Sequence, residues 1–264
     1  MGVRLEVCVD TAEGLAEAVA GGADRIELCA ALAVGGLTPA AGLMDLAAGC
    51  GVPVVAMIRP RAGDFVWSET EVAMMEAEIA AVRAAGLQGV VLGASCPDGR
   101  LDLAVLRRLV AAAQAEAGGR FLGRNRLGAL EGSEPEFLKI PAPFELVLHR
   151  CIDLVPDMGA ALEEAVDLGF HRILTSGGEK TAEAGAERIA ALVAQAAGRI
   201  TVMPGSGVNV GNAKLLKGLG IAEIHASCSA SRPATGRVVE MGFGPAVIRQ
   251  TSATEVRALR QALA

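Results

Sequence analysis

The sequence predicts a single (β/α)8 barrel, a closed sheet of eight parallel strands surrounded by helices. Two observations support this prediction. Short β-branched runs alternate with alanine-rich stretches along nearly the whole chain of 264 residues, a pattern typical of stacked βαβ units. The eight strand–helix units that can be counted fit one barrel of about 250 residues, whereas an open doubly wound sheet usually has about five or six strands. We therefore predict one domain over residues 1–264.

The strands are predicted from apolar runs that are bounded by glycine, proline or polar residues. In chain order they cover residues 3–9, 24–29, 53–58, 89–93, 144–149, 172–176, 200–203 and 222–227. Helices are expected to fill the intervals between these strands.

Several helix starts have capping signals. In a capping box, an N-cap side chain and an acidic residue three positions later bond each other's backbone N–H groups. Asn209 is expected to cap a further helix, which Gly218 ends. The pairs that fit the box or a related form are Ser68 with Glu71, Ser252 with Glu255, and Asp10 with Glu13.

Two segments depart from the regular spacing. Residues 118–143 form an insertion between the fourth helix and the fifth strand, with glycines, prolines and mixed charges. Helix-to-strand links lie on the bottom face of a barrel, so this insertion is expected to serve stability or subunit contact. Residues 230–251 follow the eighth strand and are therefore expected at the mouth, where they could close over a ligand.

Composition excludes several classes of protein. The chain has 24 Lys+Arg against 30 Asp+Glu, a net charge of −6, 3% aromatic residues and no tyrosine, so a nucleic-acid partner is not expected. No signal peptide and no membrane-spanning run can be read from the sequence, which predicts a cytoplasmic protein. The six cysteines form no CxxC pair and are expected to be thiols.

The first two strands carry matching chemistry. Side chains alternate between two faces along a strand, and in the first strand the apolar face must pack against helices. Glu6 and Cys8 therefore point into the barrel. Glu27 and Cys29 repeat the same Glu-x-Cys order on the second strand. Two carboxylates and two thiols are expected in one interior.

Other strand ends supply candidates for acid–base catalysis. Carboxylates and histidines suit proton transfer near neutral pH, and the C-terminal mouth is where barrel enzymes build their sites. Structural alternatives stay open, because Glu6 and Glu27 could neutralise Arg59 or Arg4 and a histidine could be a core residue. His171, in a helix-to-strand link, is expected to be structural. The catalytic candidates are Glu27, His149, Asp153 and His225.

An anion-binding site is predicted at the same mouth. Arginine forks and glycine-rich turns before a helix bind phosphate or carboxylate groups, and the loops after the seventh and eighth strands are the usual phosphate site of this fold. Glycine pairs are also common in plain turns. The candidates are Arg59, Arg61, Arg150, Ser176, Gly177, Gly205 and Gly207.

Six longer motifs stand in order along the chain. They read LEVCVD from Leu5, GGADRIELC from Gly21, GGLTP from Gly35, MIRPRAGDF from Met57, HR from His149 with Asp153 following, and ILTSGG from Ile173. Together these motifs resemble the CutC family of copper homeostasis proteins, over nearly the whole chain.

This resemblance implies a TIM-like barrel, a cytosolic protein that self-associates as a dimer or tetramer, and copper handling with Cys8 and Cys29 as Cu(I) ligands. Cu(I) is soft and favours thiolate or thioether sulfur, and Met57 is predicted to point inward on the third strand. The chain departs from the family pattern at Cys151-Ile152, where Ala-Phe is usual, and in the insertion 118–143. The insertion puts the transfer of the family's subunit arrangement in doubt.

Three functions stay open at this point. The first is a Cu(I)-binding homeostasis protein that uses Cys8 and Cys29. The second is an enzyme that acts on a small phosphorylated or carboxylated metabolite. The arginines and glycines at the mouth favour this function, because a soft cation does not bind to such groups. The third is an interaction scaffold whose mouth is filled by intramolecular ion pairs.

Overall fold

A computed structural model describes residues 2–115 and 144–264 of the chain. In these residues, eight strands form one sheet in which every neighbouring pair is parallel. The strands are β1 Arg4–Val9, β2 Arg25–Leu28, β3 Val54–Met57, β4 Gly89–Leu92, β5 Glu145–Leu148, β6 Arg172–Thr175, β7 Thr201–Pro204 and β8 Glu223–Ala226.

The sheet curls into a nearly closed barrel. Its strand order is β7-β6-β5-β4-β3-β2-β1-β8, so sequential strands are neighbours and β8 returns to pair with β1. The two end strands, β7 and β8, lie side by side. The predicted (β/α)8 fold and its eight strands are thus confirmed, with most observed strands slightly shorter than the predicted ones.

Helices cover the outside of the sheet. In the described part of the chain no helix is both long and apolar enough to cross a membrane. The helices are α1 Ala12–Gly21, α2 Ala41–Ala48, α3 Glu69–Ala84, α4 Leu103–Gln114, α5 Met158–Asp167, α6 Ala186–Ala196, α7 Val210–Lys217, α8 Arg237–Glu240 and α9 Ala253–Leu263.

The segment after β8 forms an antiparallel hairpin of β9 Ser229–Pro233 and β10 Val247–Thr251, with α8 between the two strands. Most of its residues are exposed, and Phe243 is 82% exposed. The predicted position at the mouth agrees with this connection, because the hairpin begins beyond the C-terminal end of β8. The predicted insertion 118–143 lies outside the described residues.

Two of the predicted helix caps are confirmed. The Ser68 hydroxyl accepts a hydrogen bond from the N–H of Glu71, whose carboxylate accepts one from the N–H of Ser68. Asn209 caps α7 and Gly218 ends it. These signals were readable because the cap and its partner are close in sequence.

Two predicted capping boxes are wrong. The N-cap of α1 is Thr11, and Asp10 instead accepts a hydrogen bond from the N–H of Leu32 at 2.9 Å. Ser252 is the N-cap of α9, but its side chain makes no capping bond. Glu17 of α1 accepts from the first N–H of α9 at 2.8 Å, so a distant carboxylate satisfies a donor of this helix start.

The hydrophobic core has two parts, separated by the sheet. The larger part lies between the sheet and the helices and contains side chains such as Leu5, Ile26 and Leu106. The smaller part lies inside the barrel, where seven buried side chains pack together. They are Cys29, Val55, Met57, Val91, Val147, Leu174 and Met203.

Close pairing of β4 with β5 requires a glycine at position 89. A Cβ at this position would collide with the backbone and side chain of Glu145. We expect Gly89→Ala to lower the free energy of unfolding by about 1–3 kcal/mol, the usual cost of overpacking, as measured by urea denaturation. Gly42→Ala is the control, because a Cβ on the exposed Gly42 would meet no other atom within 4 Å. Equal stability of the two variants would contradict this account of the β4–β5 contact.

Candidate functional site

A buried network of charges fills the lower part of the barrel. Arg25 of β2 donates to Glu6 of β1 and to Glu223 of β8, each at 2.5 Å. Arg172 of β6 donates to Glu223 at 2.6 Å and to Glu145 of β5 at 2.8 Å. The network therefore joins five of the eight strands through alternating carboxylates and guanidinium groups.

The main partner of Glu6 is neither of the two arginines expected from the sequence. Glu6 was expected to neutralise Arg59 or Arg4. In the structure Glu6 pairs with Arg25, and Arg4 contacts Glu223 at 3.5 Å. A signal was present, because Arg25 lies two residues before Glu27 on one strand and so shares its inward direction.

His225 of β8 links this network to the upper barrel. Its Nδ1 lies 2.8 Å from Oε1 of Glu6, and its Nε2 lies 3.8 Å from Oε2 of Glu27. Burial by itself raises the pKa of Glu6, but the charges of Arg25 and His225 outweigh burial and lower the pKa to about 2. Burial by itself lowers the pKa of His225. Glu27, Cys8 and Glu6 outweigh burial and raise this pKa well above its ordinary value.

Four buried side chains meet above the network, and we call them the central cluster: Cys8, Glu27, Cys29 and His225. Ligand atoms of Cys8, Glu27 and His225 lie within 4.8 Å of one another. The Cys29 thiol lies 3.5 Å from Oε2 of Glu27. The structure thus brings together both predicted metal ligands and two predicted catalytic residues.

The central cluster is poorly solvated. Burial, together with the neighbouring charge of Glu6, raises the pKa of Glu27. Burial, followed by the charge of Glu27, raises the pKa of the Cys29 thiol well above its ordinary value. Among the described residues, nothing donates a hydrogen bond to the buried Oε1 of Glu27. A buried polar atom without a partner costs free energy.

The side chain of Met57 lies near Cys29. Met57 of β3 is buried with Cys29 in the core inside the barrel, and both side chains approach Gly36. A Cβ on Gly36 would lie 3.1 Å from the Cys29 sulfur and 3.6 Å from the Met57 methyl carbon. Glycine is suited to this position, where φ is +87°.

The predicted anion cradle after β6 already holds a carboxylate of the chain itself. Asp153 accepts hydrogen bonds from the N–H groups of Ser176 and Gly178 at 3.0 and 3.1 Å, and from the hydroxyl of Thr175. Arg150 donates to Asp153 at 2.7 Å and to the Ser176 hydroxyl at 2.7 Å. The predicted catalytic Asp153 and the predicted anion ligands Arg150 and Ser176 therefore form one network.

Arg59 and Arg61 also have partners within the chain. The guanidinium of Arg59 donates to three loop carbonyl oxygens at 2.9–3.1 Å. Arg61 donates to Asp64 and Glu71, and its guanidinium lies 4.8 Å from the ring centre of Trp67. These contacts hold the loops after β2 and β3. The role of both arginines as anion ligands stays a prediction.

The predicted glycines differ in conformation and in their contacts. Gly177 and Gly207 both have φ +71°, a conformation that favours glycine. The N–H of Gly177 donates to the Thr175 hydroxyl, and the N–H of Gly205 donates to the Thr175 carbonyl, each at 2.9 Å. Gly205 also packs against His225, so its small size makes room for the central cluster. Anion binding by these glycines stays a prediction.

His149 lies outside the central cluster. Its Nδ1 accepts a hydrogen bond from the N–H of Cys151 at 3.1 Å, and its ring lies 4.5 Å from the ring of Phe65. Burial, with a contribution from Arg59, lowers its pKa to about 3, so the imidazole is neutral at pH 7. The catalytic role stays a prediction. His171, which was expected to be structural, accepts a hydrogen bond at Nδ1 from the N–H of Leu146.

Fold and site together define a (β/α)8 barrel protein with a buried group of thiols, a carboxylate and an imidazole in its interior. The CutC family matches residues 3–119 and 134–230 of the chain. The chain therefore belongs to the CutC family, and the resemblance found in its motifs is confirmed.

Two relatives align along nearly the whole chain. A family protein CutC of Sinorhizobium medicae is 51% identical over 263 residues, which are 99% of this chain and 96% of that protein. A family protein CutC of Caulobacter vibrioides is 48% identical over 266 residues, covering 98% of this chain and 97% of that protein.

Solved structures support the fold. A crystal structure of CutC from Streptococcus agalactiae, described as a candidate copper homeostasis protein, has a TM-score of 0.70 and 28% identity, and covers 85% of this chain and 98% of that chain. Thiamine phosphate pyrophosphorylase from Pyrococcus furiosus has a TM-score of 0.53 at 15% identity, covering 99% of this chain and 95% of that chain. The second likeness concerns the fold alone.

The charge network predicts a large effect of removing one central arginine. Arg25→Met leaves Glu6 and Glu223 without their shared guanidinium partner. We expect the free energy of unfolding to fall by about 3–5 kcal/mol, since an uncompensated charge then stays buried. Arg108→Met is the control in the same denaturation experiment, because Arg108 forms exposed ion pairs that contribute little. Similar losses in both variants would argue against the network as a source of stability.

Proposed function

We propose that this CutC-family chain takes part in copper homeostasis by binding one Cu(I) ion between Cys8 and Cys29. One observation carries the proposal. The two thiols lie on hydrogen-bonded neighbouring strands, both are buried, and both face the Glu27 carboxylate in the barrel interior.

The chemistry of the surroundings supports this proposal. Cu(I) is soft and prefers sulfur ligands, and the side chain of Met57 is buried in the same small core as Cys29. The Cys29 thiol lies among apolar side chains inside the barrel, a surrounding that suits an ion bound without water. A bound cation would also stabilise the thiolate form of Cys29, whose pKa burial raises in the free protein.

The enzyme alternative has weaker support from the contacts. An enzyme on a small phosphorylated or carboxylated metabolite needs donors that are free to bind the anion. Arg59, Arg61 and Arg150 donate to groups of the chain itself, and Asp153 occupies the cradle at Ser176. These contacts within the chain agree better with the scaffold alternative, which a bound copper ion would exclude. Self-association and a cytoplasmic location stay predictions.

The copper proposal is tested by anaerobic titration with Cu(I) in competition with the coloured chelator bicinchoninate. We expect the wild-type protein to hold about one equivalent. Cys8→Ser and Cys29→Ser should each weaken binding at least about 100-fold, which is the upper end of the cost of losing an outer-shell partner. Both substitutions remove a sulfur ligand and keep the size of the side chain.

Cys50→Ser is the matched control, because Cys50 follows α2 and bonds the carbonyl of Val52 outside the barrel interior. This variant should bind Cu(I) as the wild type does. Wild-type affinity in both Cys8→Ser and Cys29→Ser would overturn the proposal.

A further inference from the structure

Glu27 differs from the other carboxylates inside the barrel. Those carboxylates accept hydrogen bonds from Arg25 or Arg172, whereas the groups nearest to Glu27 are the Cys29 thiol and the His225 ring. Its Oε1 is buried and has no donor among the residues that the structure describes. This oxygen is available to a cation, which would remove the cost of burying it without a partner.

The orientation of His225 suits metal binding. Nδ1 is held by Glu6 at 2.8 Å, which directs Nε2 toward Glu27 at 3.8 Å. Histidines that bind metals commonly give their other ring nitrogen to a carboxylate, which fixes the ring and makes it a better donor. Arg25 holds Glu6 in turn, so two residues in series support this ring.

The third donor is the sulfur of Cys8. It lies with the carboxylate of Glu27 and the ring of His225 in one group whose ligand atoms are all within 4.8 Å of one another. Sulfur, carboxylate oxygen and imidazole nitrogen together are a poor set for soft Cu(I), because a carboxylate is a hard ligand. Zn²⁺ accepts all three ligand types.

We propose that Cys8, Glu27 and His225 form a binding site for a divalent cation of borderline softness, of which Zn²⁺ is the best fit. The site goes beyond the proposed copper function, since it shares Cys8 with the copper pair and does not need Cys29. Neighbouring ligands of a tetrahedral zinc ion lie about 3.3–3.8 Å apart. Side-chain movements of about 1 Å would close the group on the ion, with release of the Cys8 thiol proton and of the proton that the charged His225 ring carries on Nε2.

Three protein ligands leave one tetrahedral position open. This arrangement is typical of zinc sites that hold a water molecule or a small ligand, whereas structural zinc sites have four protein ligands. Cys8 and His225 keep 7% and 8% of their surface exposed, against 3% for Glu27. All three side chains are thus buried, with Glu27 the least accessible.

The test is titration of the metal-free protein, under reducing conditions, with Zn²⁺ followed by calorimetry and with Co²⁺ followed by absorption. We expect about one equivalent of each metal. Bound Co²⁺ should show a thiolate-to-cobalt charge-transfer band and the strong visible bands of a tetrahedral site. Cys8→Ser, Glu27→Gln and His225→Gln should each weaken Zn²⁺ binding more than about 100-fold, and Cys8→Ser should abolish the charge-transfer band.

Cys29→Ser is the matched control, because a serine keeps a donor for Glu27 and leaves the three proposed ligands in place. It should bind Zn²⁺ as the wild type does.

Glu6→Gln, which alters the support of His225, should weaken binding about 10–100-fold. Wild-type Zn²⁺ affinity in Glu27→Gln and His225→Gln would overturn the proposal. If a variant fails to fold, the wild-type Co²⁺ spectrum decides, and absence of the charge-transfer band overturns the proposal.

The copper proposal and the zinc proposal can be overturned independently of each other. Cys29→Ser should lose Cu(I) and keep Zn²⁺, whereas Glu27→Gln should keep Cu(I) and lose Zn²⁺. Retention of Cu(I) by Cys29→Ser would overturn the copper proposal alone. Retention of Zn²⁺ by Glu27→Gln, with loss of Cu(I) in Cys29→Ser, would overturn the zinc proposal alone.

Discussion

The ion pair between Glu6 and Arg25 is the interaction on which the barrel interior depends. Both side chains are almost completely buried, and a buried charge is tolerated only where a partner of opposite charge meets it. Because Glu6 is held in this way, its second oxygen can fix His225. His225 then stands beside Glu27 and Cys8. The stability of the lower barrel and the geometry of the central cluster thus have one origin.

The strands and the direction of their side chains could be predicted from the sequence. Alternation along β1 and β2 placed Glu6, Cys8, Glu27 and Cys29 inside the barrel, and the structure buries all four. Local caps such as Ser68 were also readable, since their partners are a few residues away. These features depend on the period of a strand or on short contacts, and neither requires knowledge of the tertiary structure.

Pairings between distant residues could not be predicted in the same way. Which charges meet inside a barrel depends on the stagger of its strands, so Arg25 was not identified as the partner of Glu6. Likewise, Glu17 satisfies the start of α9 across more than 200 residues of sequence. The same limit applies to the contacts of Asp153. The turn after β6 that binds its carboxylate could be recognised from the sequence only as glycine-rich.

The position of Asp153 has a consequence for the rim of the barrel. Backbone N–H groups arranged in this way usually order themselves around an external anion, whereas this loop carries its own counter-ion on a short helical turn of the same chain. The loop is therefore held in shape by contacts within the chain. A ligand that bound beside this loop would therefore cost little conformational entropy in the loop itself.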